Sequence, residues 1–255
     1  KARRLVKIII LSAGQGRRLL PLTERSPKCA VPVNGTPMLE WQLREISKCD
    51  VNAVTVLTGF CADDVDSIVQ RMQPELPDQH LTCLHNPFYA VTDNLGTCWV
   101  ATREMDEPFV IINGDTLFEA PILQRLLSSP SNAPITLVTD RKGDYDADDM
   151  KVITVDGQLR RVGKHLSDGV NGESIGMMVF RNKGPALFKD KVETIMRKEE
   201  GTKRWYLSAI DELAQQGHVN ICDVAGLSWC EVDDPSDLVH AEQVLSAWRQ
   251  TSAIS

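Results

Sequence analysis

Between residues 8 and 28 the chain runs Ile8-Ile9-Ile10-Leu11-Ser12-Ala13-Gly14-Gln15-Gly16-Arg17-Arg18-Leu19-Leu20-Pro21-Leu22-Thr23 and then reaches Ser26-Pro27-Lys28. An unbroken apolar run that stops in a glycine turn reads as a strand buried on both faces, the kind that sits in a parallel sheet covered by helices. The turn leaves backbone N–H groups bare to face an anion. Arg18 and Lys28 place fixed positive charge on either side. The expected ligand is a nucleoside triphosphate.

Spacing excludes two familiar phosphate loops. A Walker A loop needs Gly-x-x-x-x-Gly-Lys-Ser/Thr, whereas Lys28 follows Gly16 by twelve residues, beyond a proline-containing stretch. A dinucleotide fingerprint needs Gly-x-Gly-x-x-Gly, but Leu19 occupies the third position and Pro21 follows.

Strand-like and helix-like segments alternate along the first half. Val6–Ser12 precedes a helical pattern over Met38–Lys48, Ala53–Thr58 precedes one over Asp63–Arg71, and Leu81–His85 precedes one over Leu95–Glu104, before a further strand at Pro108–Asn113. This rhythm predicts an α/β fold with a mostly parallel, Rossmann-like mixed sheet flanked by helices, with ligands beyond the strands' C-terminal ends. In the second half, Ile135–Thr139, Met150–Val155, Gln158–Val162 and Ser174–Arg181 read as shorter strands that could fold over a substrate. Asp156-Gly157 supplies a hairpin turn. Lys183–Lys198 and Trp205–Gln216 read as helices, Val219–Val224 as a strand, and Pro235–Trp248 as a last helix started by its proline. Gly143–Asp149, with four Asp in seven residues, reads as a mobile solvated loop.

The string Ala13-Gly14-Gln15-Gly16, with Arg18, Pro21, Thr23, Pro27 and Lys28, resembles the signature of the sugar-phosphate nucleotidyltransferase superfamily. Asn86-Pro87-Phe88-Tyr89-Ala90, Asp93-Asn94-Leu95 and Asn113-Gly114-Asp115 resemble its bacterial phosphocholine and 2-aminoethylphosphonate cytidylyltransferases. The likeness runs from about Val6 to Val244. It implies a single GT-A-like nucleotidyltransferase domain over 1–255, with an NTP-binding core (1–133), a smaller acceptor-binding and metal part with β structure (134–234) and a C-terminal helix (235–250). It further implies CTP and a small phosphate or phosphonate as substrates, pyrophosphate as product and Mg²⁺ as cofactor.

Nucleotidyl transfer depends on positioning and charge, so two carboxylates are sought for the metal. Asp115 follows a buried strand and a glycine, although a turn aspartate would look the same. Asp233, in Cys230-Glu231-Val232-Asp233-Asp234-Pro235, resembles the family's late Glu-x-Asp-x-Pro-x-Asp segment; Asp233 and Asp234 compete there and either could cap the last helix, the motif alignment giving Asp233 the metal and Asp234 the cap. The resemblance assigns Lys28 to the α-phosphate and Arg18 to the departing β- and γ-phosphates, with Arg17 outside the matched position. Nucleotide contacts fall to Leu11, Ala13, Gly14, Gly16, Gly59, Asn94, Leu95 and Gly114, although Asn94 could equally cap its helix. Acceptor contacts fall to Lys164, Glu173, Trp205, Tyr206 and Asp211; the aromatic pair and the acids suit an alkylammonium group, while a surface lysine and a core tryptophan are the plainer readings.

The formal net charge is −7, with 28 basic and 35 acidic residues and no long basic run, which argues against nucleic acid as a partner. Seven cysteines form no C-x-x-C pair, their count is odd and no signal-peptide pattern precedes them, so reduced thiols and a cytoplasmic location are expected. No apolar stretch approaches the roughly 18 residues that span a bilayer. A homo-oligomer is compatible with all of this. Two other functions stay open: a sugar-1-phosphate nucleotidyltransferase using UTP, dTTP or GTP, and a non-catalytic nucleotide-sensing subunit.

Overall fold

Apolar periodicity sorts the chain into two layers of helix around one sheet. The structure, a computed structural model, describes residues 6–252; the ends of the expected 1–255 domain lie outside the described residues. The first half comprises β1 (Lys7–Ser12), β2 (Pro32–Val33), β3 (Thr36–Pro37), α1 (Met38–Ser47), β4 (Ala53–Thr58), α2 (Ala62–Met72), β5 (His80–His85), α3 (Asn94–Ala101), β6 (Phe109–Asn113), β7 (Thr116–Phe118) and α4 (Ala120–Ser128). The second comprises β8 (Ile135–Asp140), β9 (Lys151–Val155), β10 (Gln158–Gly163), β11 (Gly172–Phe180), α5 (Gly184–Met196), α6 (Tyr206–Gln215), β12 (Val219–Asp223), β13 (Trp229–Glu231) and α7 (Pro235–Ser252).

The main sheet has nine strands in the order β5-β4-β1-β6-β11-β8-β12-β10-β9, with β9 also pairing β11. β5, β4, β1 and β6 are parallel, β11 runs against both β6 and β8, and β12 runs parallel to β8. The short strands of the second half therefore extend the main sheet; they do not fold over a substrate as a separate layer. Asp156 and Gly157 both have positive φ, 51° and 76°, as the predicted hairpin turn between β9 and β10 requires.

Alternate residues of β1 and β6 point into different cores. Ile8, Ile10, Val110 and Ile112 pack with residues of α1, α2 and α4, while Ile9, Ile111 and Met178 pack with residues of α3, α5 and α6. Each such fully buried aliphatic side chain contributes roughly 1.5–3 kcal/mol, which makes the sheet a rigid support for the loops at its C-terminal edge. A third cluster joins Leu19, Val33, Met38 and Trp41 to Cys230, Val232, Leu245 and Trp248. It clamps α7 and the chain after β13 against the loop that follows β1.

The pairing that matters most for the site lies outside the main sheet. β7 and β13 form an antiparallel ribbon with Thr116 opposite Glu231, and the Val232 amide donates to the Asp115 carbonyl at 3.2 Å. Residues 115 and 231–233 thus sit side by side.

Candidate active site

The loop after β1 is shaped by its own polar side chains. The Thr23 hydroxyl, fully buried, donates to the Gly16 carbonyl at 2.8 Å, and Gln15 Nε2 donates to the Thr23 carbonyl at 3.1 Å. Leu19 is buried and anchors the turn of 3₁₀ helix at Arg17–Leu19. Gly16 has φ +74°, and a Cβ there would lie 2.8 Å from the Cβ of Lys28. Its bare backbone lets the lysine stem cross the loop. Gly114 serves a similar close approach, since a Cβ would meet the Leu11 carbonyl oxygen at 2.5 Å.

Lys28 delivers its ammonium to two carboxylates from remote segments, Asp115 Oδ2 at 2.7 Å and Asp233 Oδ1 at 2.6 Å. The other oxygen of Asp233 lies 2.8 Å from Arg18 Nη2, Arg18 Nη1 lies 3.3 Å from Asp148, and Asp148 lies 3.6 Å from Lys164 Nζ. Cation and anion therefore alternate across the site in one continuous line, Asp115, Lys28, Asp233, Arg18, Asp148 and Lys164. Lys164 Nζ in turn sits 5.1 Å from the centre of the Trp205 ring. Arg17 is exposed.

Burial opposes the charge of Lys28, but Asp115 and Asp233 outweigh it and raise the lysine pKa. Asp233 shows the mirror image: burial works against ionisation, while Lys28 and Arg18 hold its carboxyl below the usual range. Arg18 is raised likewise, Asp233 and Asp148 overcoming its burial. At Glu231 the balance tips the other way. Crowding by the surrounding protein, followed by the charges of Asp115 and Asp233, outweighs the pull of Lys28 and Lys164 and raises its carboxyl above the usual range, although the residue remains exposed at the surface.

These residues fit a divalent cation. Asp115 Oδ1 is buried without a hydrogen-bond partner, an arrangement that costs free energy unless a cation or donor completes it. Among the described residues no group of three His, Cys, Asp or Glu is arranged as a metal site. A metal would therefore rest on Asp115, Asp233 and substrate oxygens. Asp234 instead serves the backbone. Its Oδ1 accepts from the Ser236 and Asp237 amides, while Asp237 Oδ2 accepts from the Asp233 and Asp234 amides. This reciprocal cap starts α7.

Beside these charges lies a cleft of about 760 Å³, lined by Leu11–Arg17, Lys28, Cys29, Phe60, Tyr89–Asn94, Thr97, Asn113–Asp115, Lys203 and Trp205. Of the predicted nucleotide contacts, Leu11, Ala13, Gly14, Gly16, Asn94 and Gly114 are at its wall. The carbonyls of Leu11 and Ala13 are partly spent, accepting from the Gly114 and Phe60 amides at 3.0 Å each. Leu95 is displaced from the expected role: its side chain is fully buried and its amide donates to the Arg204 carbonyl. Gly59 lies behind the wall, where a Cβ would meet the Ala13 oxygen at 2.5 Å, and Phe60 lines the cleft in its place. Asn94 does cap a helix, but not its own. Its Oδ1 accepts from the Tyr206 amide at 2.8 Å and so satisfies the first N–H of α6.

The predicted acceptor residues part company. Lys164 and Trp205 meet at the site, but Tyr206 is fully buried and its hydroxyl donates to Asn113 Oδ1 at 2.7 Å, so it braces β6 from beneath and cannot pair with Trp205 around a ligand. Asp211 faces β10, accepting from Arg161 Nε at 3.0 Å and from the Val162 amide at 2.8 Å, which uses its charge structurally. Glu173 is buried near Lys142, 3.3 Å away, with Asp149 beside it. The 143–149 loop, read as mobile and solvated, is largely exposed and makes ion pairs at its end: Asp149 pairs with Lys142 at 2.7 Å and Asp148 reaches Arg18 and Lys164. Sequence reasoning missed Asp148, Lys203 and the proximity of Glu231. Only Glu231 carried a signal, its place in the Glu-x-Asp segment.

A Rossmann-like sheet that gathers a glycine loop, a lysine and two carboxylates at its C-terminal edge defines a nucleotidyltransferase architecture. The profile of the MobA-like NTP transferase domain matches residues 8–216, and the chain belongs to that family. CMP-5'-(3-aminopropyl)phosphonate synthase of Streptomyces rubellomurinus is 26% identical over 260 residues, covering 98% of this chain and 40% of that protein. Choline-phosphate cytidylyltransferase of Streptococcus pneumoniae is 29% identical over 45% of this chain and 47% of its own length. 2-Aminoethylphosphonate cytidylyltransferase of Lancefieldella rimae is 25% identical over 63% of this chain and 61% of its own length. The chain spans about half, or less, of the length of the first curated relatives it matches. The fold superposes on the inositol-1-phosphate CTP transferase of T. maritima with a TM-score of 0.80 at 18% identity, covering 96% of both chains. It superposes on the CTP:phosphocholine cytidylyltransferase of Streptococcus pneumoniae with a TM-score of 0.76 at 19% identity, covering 94% and 99%.

Proposed function

We propose that this domain transfers CMP from CTP to a small phosphate- or phosphonate-bearing acceptor and releases pyrophosphate. The observation that carries this reading is the meeting of Lys28, Asp115 and Asp233 at the end of a cleft walled by the glycine loop. An acceptor oxygen bonds to the α-phosphorus while the bond to the bridging oxygen of pyrophosphate breaks, and the electron pair leaves with pyrophosphate. No proton needs to move. Lys28 faces the charge that grows on the α-phosphate, and Arg18 holds the phosphates that depart. Asp115 and Asp233 would hold Mg²⁺, which supplies further neutralisation of phosphate charge when bound.

Cytidylyl transfer is favoured over other nucleotides by the activities that several relatives are named for. Those same names contain amino- or choline-bearing acceptors, which supports a zwitterionic acceptor such as phosphocholine or 2-aminoethylphosphonate. Lys164 takes the acceptor's phosphate, with Trp205 beneath it; Glu173 and the acidic 143–149 loop lie on that side of the site. The test is pyrophosphate release from each NTP with 2-aminoethylphosphonate, phosphocholine and glucose-1-phosphate. With CTP, a zwitterion is expected to exceed glucose-1-phosphate in kcat/KM by at least about tenfold, or roughly 1.4 kcal/mol. Efficient turnover of the sugar phosphate alone would replace this reading with a sugar-1-phosphate nucleotidyltransferase, and no release with any pair would leave a nucleotide-binding subunit.

A further inference from the structure

The line of charges across the site ends in a contact that nucleotidyl transfer does not call for. Asp148, on the loop between β8 and β9, puts Oδ2 3.3 Å from Arg18 Nη1 and Oδ1 3.6 Å from Lys164 Nζ. One carboxylate shared between two cations through its two oxygens occupies the place that a phosphate or phosphonate dianion would take between them.

The loop is built to hold that carboxylate there. Asp146 Oδ1 accepts from the amides of Asp148 and Asp149, while Asp149 Oδ2 accepts from the Asp146 amide at 2.6 Å. Lys142 fastens the base of the loop, 2.7 Å from Asp149 and 3.3 Å from Glu173 of β11. Asp148 itself is 71% exposed and Arg18 48%, so their contact is screened by water and weak enough to give way.

We propose that Asp148 is an intramolecular competitor of substrate phosphate. Its carboxylate fills an anion position between Arg18 and Lys164, and the 143–149 loop swings aside when a dianion takes that position. In the empty site the loop neutralises both cations and so weakens capture of stray inorganic phosphate. An arriving dianion takes over both cations and repels Asp148, which opens the loop in the same event. Naming the natural anions, the departing phosphates at Arg18 and the acceptor's phosphate at Lys164, rests on the proposed function; the competition itself does not.

The experiment measures binding of inorganic phosphate by calorimetry, without turnover, to the unaltered protein and to Asp148→Asn and Asp144→Asn. Asp144 lies on the same loop and pairs with neither cation, so its variant removes equal charge without removing the contact. Asp148→Asn is expected to bind phosphate about two- to fivefold more tightly, the range for release of an exposed ion pair, with Asp144→Asn unchanged. In the unaltered protein, saturating phosphate should speed hydrogen exchange at the amides of residues 146–149. Equal effects of the two substitutions, weaker binding by Asp148→Asn, or exchange unaltered by phosphate would each overturn the proposal. Failure of the proposed function would show separately, as absent pyrophosphate release with phosphate binding intact.

Discussion

Lys28 and Asp233 are 205 residues apart in the chain, and their charged atoms are 2.6 Å apart in the fold. The contact joins the loop after β1 to the segment after β13, and Asp115 completes it from β6's end. Two features meet there: Lys28 compensates two carboxylates, and the cleft opens beside them.

Lys28→Ala is expected to lower kcat about a hundredfold or more while raising the KM for CTP much less, because its contact strengthens as charge develops on the transferred phosphate. It also leaves Asp115 without its cation and Asp233 with Arg18 alone. The metal-free variant should lose on the order of 1–3 kcal/mol of stability, and Mg²⁺ should return part of it. Steady-state kinetics and thermal melts with and without Mg²⁺ check both effects. Arg17→Ala is the control and should change little; equal damage from the two would mean that the loop has been misread.

The adjacent aspartates should separate cleanly. Asp233→Asn removes charge facing Lys28 and Arg18 and should abolish most Mg²⁺-dependent turnover with the fold retained. Asp234→Ala removes the cap of α7 and should lower Tm with kcat nearly intact. Pyrophosphate assays beside melting curves read the two effects, and the reverse pattern would exchange the assignments.

Glu173 makes stability depend on pH. Burial pushes its carboxyl up to about 7, Lys142 pulling it down and Asp149 adding to the rise. In the unfolded chain it titrates near 4.3. The folded state thus holds an extra proton between those values, so this group's contribution is full below about pH 4 and is lost as pH rises through about 7. Asp140 on β8 and Lys151 on β9 stand opposite Glu173 in register. Glu173→Gln should gain on the unaltered protein by an amount on the order of 3 kcal/mol between pH 4.5 and pH 8. Melts across that range test it; a pH-independent difference would refute the shift.

Asp211→Ala should act on stability and not on acceptor choice. Its carboxylate fastens α6 to β10 through Arg161 and the Val162 amide, so its loss should cost about 1–2 kcal/mol. The ratio of kcat/KM between 2-aminoethylphosphonate and glucose-1-phosphate should stay where it was. A collapse of that ratio would return Asp211 to the acceptor pocket.

What the chain's own order determined was local and repetitive. Ile8–Leu11 announces a strand buried on both faces, Gly14-Gln15-Gly16 announces the turn at its end, and Pro235 announces the start of α7, because periodicity and backbone stereochemistry act between near neighbours. The strands β2, β3, β7 and β13 and helix α4 went unread. Strands of two or three residues have too few positions to show a period, and the apolar residues of α4 follow those of β7 so closely that no separate period stands out. Lys28, Asp115 and Asp233 were legible as candidates because each stands in a motif, yet nothing in the order of residues says that they touch. Only the β7–β13 ribbon and the cluster of Leu19, Trp41, Val232 and Trp248 bring them together. Tertiary packing also decided which residues were already spent. Tyr206 hydrogen-bonds Asn113 in the core, Asp211 is consumed by Arg161, and Leu95 is buried, since a side chain's type sets what it can bind but its neighbours set whether it is free to do so. Asp148 is the converse: in sequence it is one acid in a charged run, and only folding lays it between Arg18 and Lys164.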